Sequence, residues 1–245
     1  MVQLLRLTMS NEDISKEELT KERTPLELLK WVEGKLGQIE STEEGERTIR
    51  LHIGLAKQLM EEVYPLAIFG CRKFGDTDQI LMQPVISNRS YDAVVTDVRS
   101  KPASQSYVEI TQSLEGENDY LRRLVLQEQG IVFGHGDVTK KGTKKTGLQV
   151  SVKPNVNSGD IAGNELNRIV DAAKRKAGRD YPTNTSLIIV FDDDRFFQRH
   201  IDDAILDAFF RKCILPLDLR FSTLYLVGWK NVFREFSLVK RNYPL

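Results

Sequence analysis

Asp92 and the triplet Glu109-Ile110-Thr111 are the residues of this chain best spaced to do chemistry. Asp92 lies in Tyr91–Val98 (YDAVVTDV), a β-branched run bounded by turn residues, and Glu109 lies in Tyr107–Gln112 (YVEITQ), which alternates like a half-buried strand. Strand periodicity puts Asp92 on one face of its strand, and Glu109 with Thr111 on one face of theirs. Neighbouring strands lie about 4.8 Å apart, so two carboxylates facing the same way can share one divalent cation. Hard oxygen ligands of this kind suit Mg²⁺ or Mn²⁺. Such an ion polarises a phosphoryl oxygen and lowers the pKa of a bound water.

The elements that must position these groups follow from periodicity. Residues 10–23 are charged and read as a solvated arm or frayed helix. Thr24-Pro25-Leu26-Glu27 combines a cap, a proline where its missing N–H is harmless, and the acid of a capping box. Leu26, Leu29, Val32 and Leu36 follow at helical spacing, and Gly37 is expected to stop that helix. A second helix starts near Ser41–Glu44, continues through Ile49, Ile53, Ala56, Met60 and Val63, and is expected to end at Pro65. Leu66–Gly70 and 79–86 are strand candidates, the latter demoted by Pro84. With 91–98 and 107–112 they suggest an antiparallel meander. A helix over Gly116–Gly130 follows, with Tyr120, Leu121, Leu124 and Val125 inward, then a hairpin over 131–152 and a helix from about Asn164 to Ala177. The apolar runs Ser186–Phe191 and Thr223–Gly228 read as strands covered on both faces, separated by a helix over 197–213. No linker-like stretch follows residue 40. The expected organisation is a helical N-terminal extension, residues 1–40, and a single α/β domain, residues 41–245.

The order helix, short meander, helix, buried strand resembles the restriction-endonuclease-like PD-(D/E)xK nuclease superfamily over roughly residues 45–192. Tyr91-Asp92 stands at the Pro-Asp position and Glu109-Ile110-Thr111 at the acidic-x-Lys position. The resemblance implies an α/β fold with a restriction-endonuclease-like mixed β-sheet flanked by helices, Mg²⁺ or Mn²⁺ held by Asp92 and Glu109, and cleavage of phosphodiester bonds in DNA. Helix 164–177 would be the crossover before the fourth core strand, 186–191. Thr111 replaces the motif lysine, which in the family positions the attacking water. Thr111 can hydrogen-bond a water but brings no positive charge. The resemblance allows a lysine from elsewhere, such as Lys101 or Lys174, and allows members without activity. It also allows a carboxylate from the first helix, where Glu61-Glu62 otherwise reads as a solvated face.

Four lysines, Lys140, Lys141, Lys144 and Lys145, cluster at the tip of the 131–152 hairpin. They can straddle a phosphate backbone or simply solvate a turn, and are the expected DNA contact if the nuclease reading holds. Gly134-His135-Gly136-Asp137 reads as a turn or bulge around a lone histidine, or else as a His135–Asp137 acid/base or metal pair. Asp192-Asp193-Asp194 reads as the N-cap of the following helix, or else as a ligand site at the carboxyl edge of a strand. Lys+Arg and Asp+Glu are both 35, a formal net charge of +0, which excludes a protein coating polyanions by bulk charge. Zinc-like cysteine spacing, a nucleophile elbow, a P-loop and a dinucleotide fingerprint are all absent. Cys71 and Cys213 read as reduced core thiols, and with neither a secretory pattern nor an 18-residue apolar run the expected setting is cytoplasmic, away from membranes. The N-terminal helices must cover their apolar faces, on this domain or on a second copy in a homo-oligomer. Two functions remain open at this point: a divalent-metal-dependent phosphodiesterase acting on DNA, and a non-catalytic module binding nucleic acid or protein.

Overall fold

The apolar runs at 185–191 and 223–228 become the centre of a sheet, because side chains that are apolar on both faces need cover on both faces. A computed structural model describes residues 14–132, 137–142, 149–153, 158–193 and 202–238, with side chains of the 158–176 helix described from residue 163. Six strands form one mixed sheet: β1 (Ile80–Pro84), β2 (Ala93–Asp97), β3 (Ser104–Gln112), β6 (Thr185–Phe191), β7 (Thr223–Gly228) and β8 (Phe233–Ser237), side by side in that order. The first two pairings and the last are antiparallel, while β3, β6 and β7 run parallel. Two further strands, β4 (Val138–Lys141) and β5 (Gln149–Val152), make a separate antiparallel hairpin. The molecule is thus α/β, with a mixed sheet flanked by helices. Pro84 sits on β1, the edge strand, where its missing N–H costs no ladder bond.

One sheet face packs on helices from the first third of the chain. These are α1 (Lys16–Leu19), α2 (Pro25–Ile39), α3 (Glu43–Arg50), α4 (Leu55–Gln58) and α5 (Tyr64–Phe74). Val108, Ile110, Ile188 and Val190 meet Leu28, Val32, Leu59 and Leu66 there. The opposite face carries α7 (Ser158–Lys176) and α8 (Asp203–Phe209), with Ile169, Ala172 and Ala173 against Leu187 and Ile189. The helix α6 (Glu117–Gln129) follows β3 and ends at Gly130, in the left-handed conformation a C-terminal glycine supplies.

Several expectations change. Leu66–Gly70 is helical, within α5. Pro65 does not end the preceding helix: a π-helical turn, Leu59–Val63, joins α4 to α5. The wider i→i+5 spacing makes room for a ring that would otherwise clash with the preceding turn. The helix expected over 41–64 breaks instead at residues 51–54, where His52 and Gly54 take positive φ of 52° and 59°. Gly37 lies inside α2, which runs on to Ile39 because Val32, Lys35 and Ile39 keep its buried stripe going. Residues 14–23 are no solvated arm. Ser15 and Glu18 form a capping box, Leu19 is fully buried, and Arg23 bridges to Met82 on β1. The apolar face of α2 is covered by this same domain, through α5 and β1. The last strand, β8, is an element the periodicity did not reveal. Both cysteines are free and half-buried. Among the described residues no helix is long and apolar enough to cross a membrane.

Candidate active site

The site is built on a difference in strand length. β2 begins at Ala93, whose partner on β3 is Val108, yet β3 continues through Glu109 to Gln112. Among the described residues no strand lies beside the edge of β3 facing β2 beyond Val108. Asp92, the residue just before β2, fills the gap: the Ile110 N–H donates to its carboxylate at 2.7 Å. Asp92 and Glu109 flank the Ala93–Val108 rung. Since Ala93 and Val108 point into the core under α2 and α5, alternation turns both acids, and Thr111, to the α7 side of the sheet.

On that side α7 presents Lys176, whose ammonium donates to the Glu109 carboxylate at 2.5 Å. Glu109 is only 7% exposed. Neither lysine expected to replace Thr111 does so. Lys101 is exposed in the β2–β3 connection, and Lys174 is exposed and paired with Asp171. Lys176 was findable: it continues the spacing Ile169, Ala172, Ala173 that α7 turns to the sheet, whereas Lys174 falls off that stripe.

The π-helical turn brings the third acid. Glu62 is half-buried there and feels the charges of Asp92, Glu61 and Glu109. Burial first, then these like charges, raise its pKa to about 7. Burial and Glu109 likewise raise Asp92 to about 6, against the pull of the Ile110 N–H and Lys176. Glu61 behaves differently. Burial opposes its ionisation, but His52 Nδ1 lies 2.9 Å from its carboxylate, and with Lys57 and Arg123 nearby its pKa is lowered. The Glu61-Glu62 pair is therefore no solvated helix face. The apolar spacing Leu59, Val63, Leu66 places Glu62 beside the buried stripe rather than opposite it.

These groups line an open cavity of about 670 Å³. Glu61, Glu62, Asp92, Glu115 and Asp171 line it together with Arg168, Arg175 and Lys176, and Ile110 and Thr111 belong to the same lining. Arg175 is held in place by donating to the Gln112 carbonyl at 2.8 Å. Thr111 is thus at the cavity, but the positive charge comes from α7. Among the described residues no three or more His, Cys, Asp or Glu side chains are grouped so as to hold a metal ion by themselves. The donor chemistry fits a hard cation nonetheless: Mg²⁺ characteristically takes one or two carboxylates and completes its shell with water and substrate phosphate. Of the carboxylates at the cavity, Glu61, Glu115 and Asp171 are engaged by His52, Arg122 and Lys174, which leaves Asp92 and Glu62 as the pair facing each other, with Glu109 behind them.

The remaining candidates lie elsewhere. Lys140 and Lys141 are exposed on β4, and Lys140 pairs with Glu117 at 2.5 Å. Lys144, Lys145, His135 and Asp194 lie outside the described residues. The residues that follow Asp193, 194–201, lie outside the described residues, and its expected role as a helix cap lies outside them too. Asp193 is fully buried and accepts from the backbone N–H groups of Lys230, Asn231 and Val232 at 2.7–2.8 Å. The N-cap of α8 is Asp202. No protein-family model, no curated protein and no solved structure matches this chain.

Proposed function

We propose that the protein is a divalent-cation-dependent phosphodiesterase acting on DNA, with Asp92, Glu109 and Lys176 at its centre. The observation that carries this reading is the cavity's polarity. Glu62 and Asp92, half-buried and mutually repelling, share the cavity with Arg175, Lys176 and Arg168; Lys176 is paired with Glu109 and Arg168 with Glu165, and the repulsion between Glu62 and Asp92 is what a bound cation would relieve. The antiparallel β1–β2–β3 unit, crossed by α7 into a parallel β6, also agrees with the restriction-endonuclease-like pattern read in the sequence.

Asp92 and Glu62 would hold Mg²⁺ or Mn²⁺, with Glu109 contributing charge from beneath. When bound, the ion would supply Lewis-acid polarisation of the phosphoryl oxygen and a more acidic water. The chain's own residues do the rest. Glu109 holds Lys176 in one orientation, so that its ammonium meets the negative charge growing on the phosphoryl group without having to reorganise. The Ile110 N–H keeps Asp92 aimed along the open edge of β3. Arg175, braced on the Gln112 carbonyl, grips a neighbouring phosphate. Thr111 offers a hydroxyl to the water in the cavity.

The test is incubation of pure protein with plasmid and single-stranded DNA in Mg²⁺ or Mn²⁺, beside Glu109→Gln and Lys176→Ala. Expected is cleavage by the wild type, reduced about 10²–10³-fold in each variant, as when a group stabilising the transition state is lost. Cleavage that survives both substitutions would remove this site from the reaction. The rival reading, a binding module without catalysis, draws support from the absence of a three-ligand metal group among the described residues. DNA binding with no cleavage under either metal would decide for it.

A further inference from the structure

β3, β6 and β7 run parallel and end side by side, and the crevice beyond the carboxyl ends of parallel strands is where α/β sheets receive ligands. Just past those ends lie Ser113 after β3, Asp192 after β6 and Trp229 after β7. They line a second cavity of about 150 Å³, more enclosed than the first. Gln112, Leu114 and Arg168 belong to the walls of both, so the two cavities adjoin.

Its chemistry differs from that of the large cavity. Glu165, only 4% exposed, accepts from the Ser113 hydroxyl and, at 3.0 Å, from Arg168. Burial, in the first place, raises its pKa to about 7. Trp229, whose half-buried ring lies 5.7 Å from the Tyr64 ring, is another of its lining residues. The small cavity therefore combines an aromatic residue with side chains that both accept and donate hydrogen bonds, next to the site proposed for phosphate.

We infer that this cavity receives one unstacked nucleobase of a single-stranded segment whose phosphate lies in the large cavity, an inference that rests on the phosphodiesterase reading. Trp229 supplies the stacking surface, and Ser113, Glu165 and Arg122, a lining residue held by Glu115 and Asp119, meet the polar edge of the base. A duplex would have to open, or be already open, for the base to reach it. The substrate is then a DNA single strand, or a frayed or flapped end.

The test compares two strands of equal length and phosphate count, oligo(dT) and a fully abasic strand, binding the full chain with Ca²⁺ in place of Mg²⁺. Trp31→Phe leaves Trp229 as the one tryptophan reporter, since the chain has two. Expected is quenching of Trp229 emission by oligo(dT) alone, with about tenfold or greater weakening for the abasic strand, the scale of base–aromatic stacking. Equal affinity with unchanged emission would overturn the base pocket and leave the phosphodiesterase reading intact. No binding of either strand, with no DNA cleavage in Mg²⁺ or Mn²⁺, would overturn both.

Discussion

Asp92 and Asp193 are both aspartates at strand ends, both largely withdrawn from water, and the structure treats them in opposite ways. Asp193 receives three backbone N–H groups from the 230–232 turn. From the other side Arg72 donates to the carbonyls of Gly228, Trp229, Lys230 and Val232, so one loop is clamped through its donors by an acid and through its acceptors by a base. Asp92 receives one N–H and, apart from the Lys176 ammonium nearby, faces Glu109 and Glu62. A buried charge met by fixed dipoles is a structural part. A buried charge set against its own sign is, on the proposed reading, the place a cation would fill.

The same substitution separates the two. Asp193→Asn replaces one acceptor oxygen by an amide that presents N–H to N–H donors already there. At least one buried donor is orphaned, and the loss should be about 3 kcal/mol, read from the shift in the denaturant midpoint. Asp92→Asn keeps an oxygen for the Ile110 N–H and removes a repelling charge. Its metal-free stability should be unchanged or slightly raised, while cation binding is lost in calorimetric titration with Mn²⁺. If Asp92→Asn unfolds the protein and Asp193→Asn does not, the assignment of roles is reversed. Gly228→Ala addresses the clamp from the other side. A Cβ there would meet the Asp193 carboxyl at 2.3 Å, so the fully satisfied turn should lose about 1–3 kcal/mol through overpacking.

pH sharpens the contrast. Glu62 and Asp92 have folded-state pKa values of about 7 and about 6, above the ordinary unfolded values near 4. Glu165, also at about 7, adds to them. The folded chain therefore binds more protons than the unfolded chain between about pH 4 and 7, so metal-free stability falls as pH rises through that window and levels off above it. Thermal melts in EDTA should show a lower Tm at pH 8 than at pH 5. The double variant Glu62→Gln/Asp92→Asn should flatten most of that slope, with Glu165 supplying the remainder. Millimolar Mn²⁺ at pH 8 should restore stability to the wild type and leave the double variant unaffected. A wild-type Tm that climbs from pH 5 to pH 8 in EDTA would contradict the stored repulsion.

The sequence made the sheet legible where one periodicity ruled. The continuous apolar runs of β6 and β7 and the alternation of β3 could be read directly, and so could Asp92 and Glu109. It failed where two signals conflicted. Leu66–Gly70 is short, apolar and follows a proline, so it imitates a strand; only the π-helical turn, which no side-chain pattern announces, lets the helix pass Pro65. The charged residues 14–23 hid two buried apolar side chains, Ile14 and Leu19, too few to set a period. Lys176 and Glu165 were in plain view as polar residues on the apolar stripe of α7, a pattern more telling than the lysine's distance along the chain from the motif. Glu62 needed the third dimension, because its neighbours at the site come from β2 and β3.

The smallest expected effect concerns the lysine hairpin, whose contribution would be to hold substrate rather than to transform it. Lys140 is docked on Glu117, one residue after Gly116, which lines the large cavity, so β4 stands beside that cavity. An exposed pair of this kind contributes about 0–1 kcal/mol, so Lys140→Ala and Lys141→Ala should barely move the denaturant midpoint. Their effect should appear in the salt dependence of binding. Each phosphate that the protein no longer neutralises lowers the slope of log affinity against log salt by about 0.7 for a single strand. The weakening should be uniform across sequences, because lysines on the phosphate backbone position the strand without reading it. A salt slope identical to the wild type in Lys140→Ala/Lys141→Ala would assign these lysines to the solvated surface, and leave Arg175 and Arg168 as the cations on the strand's path.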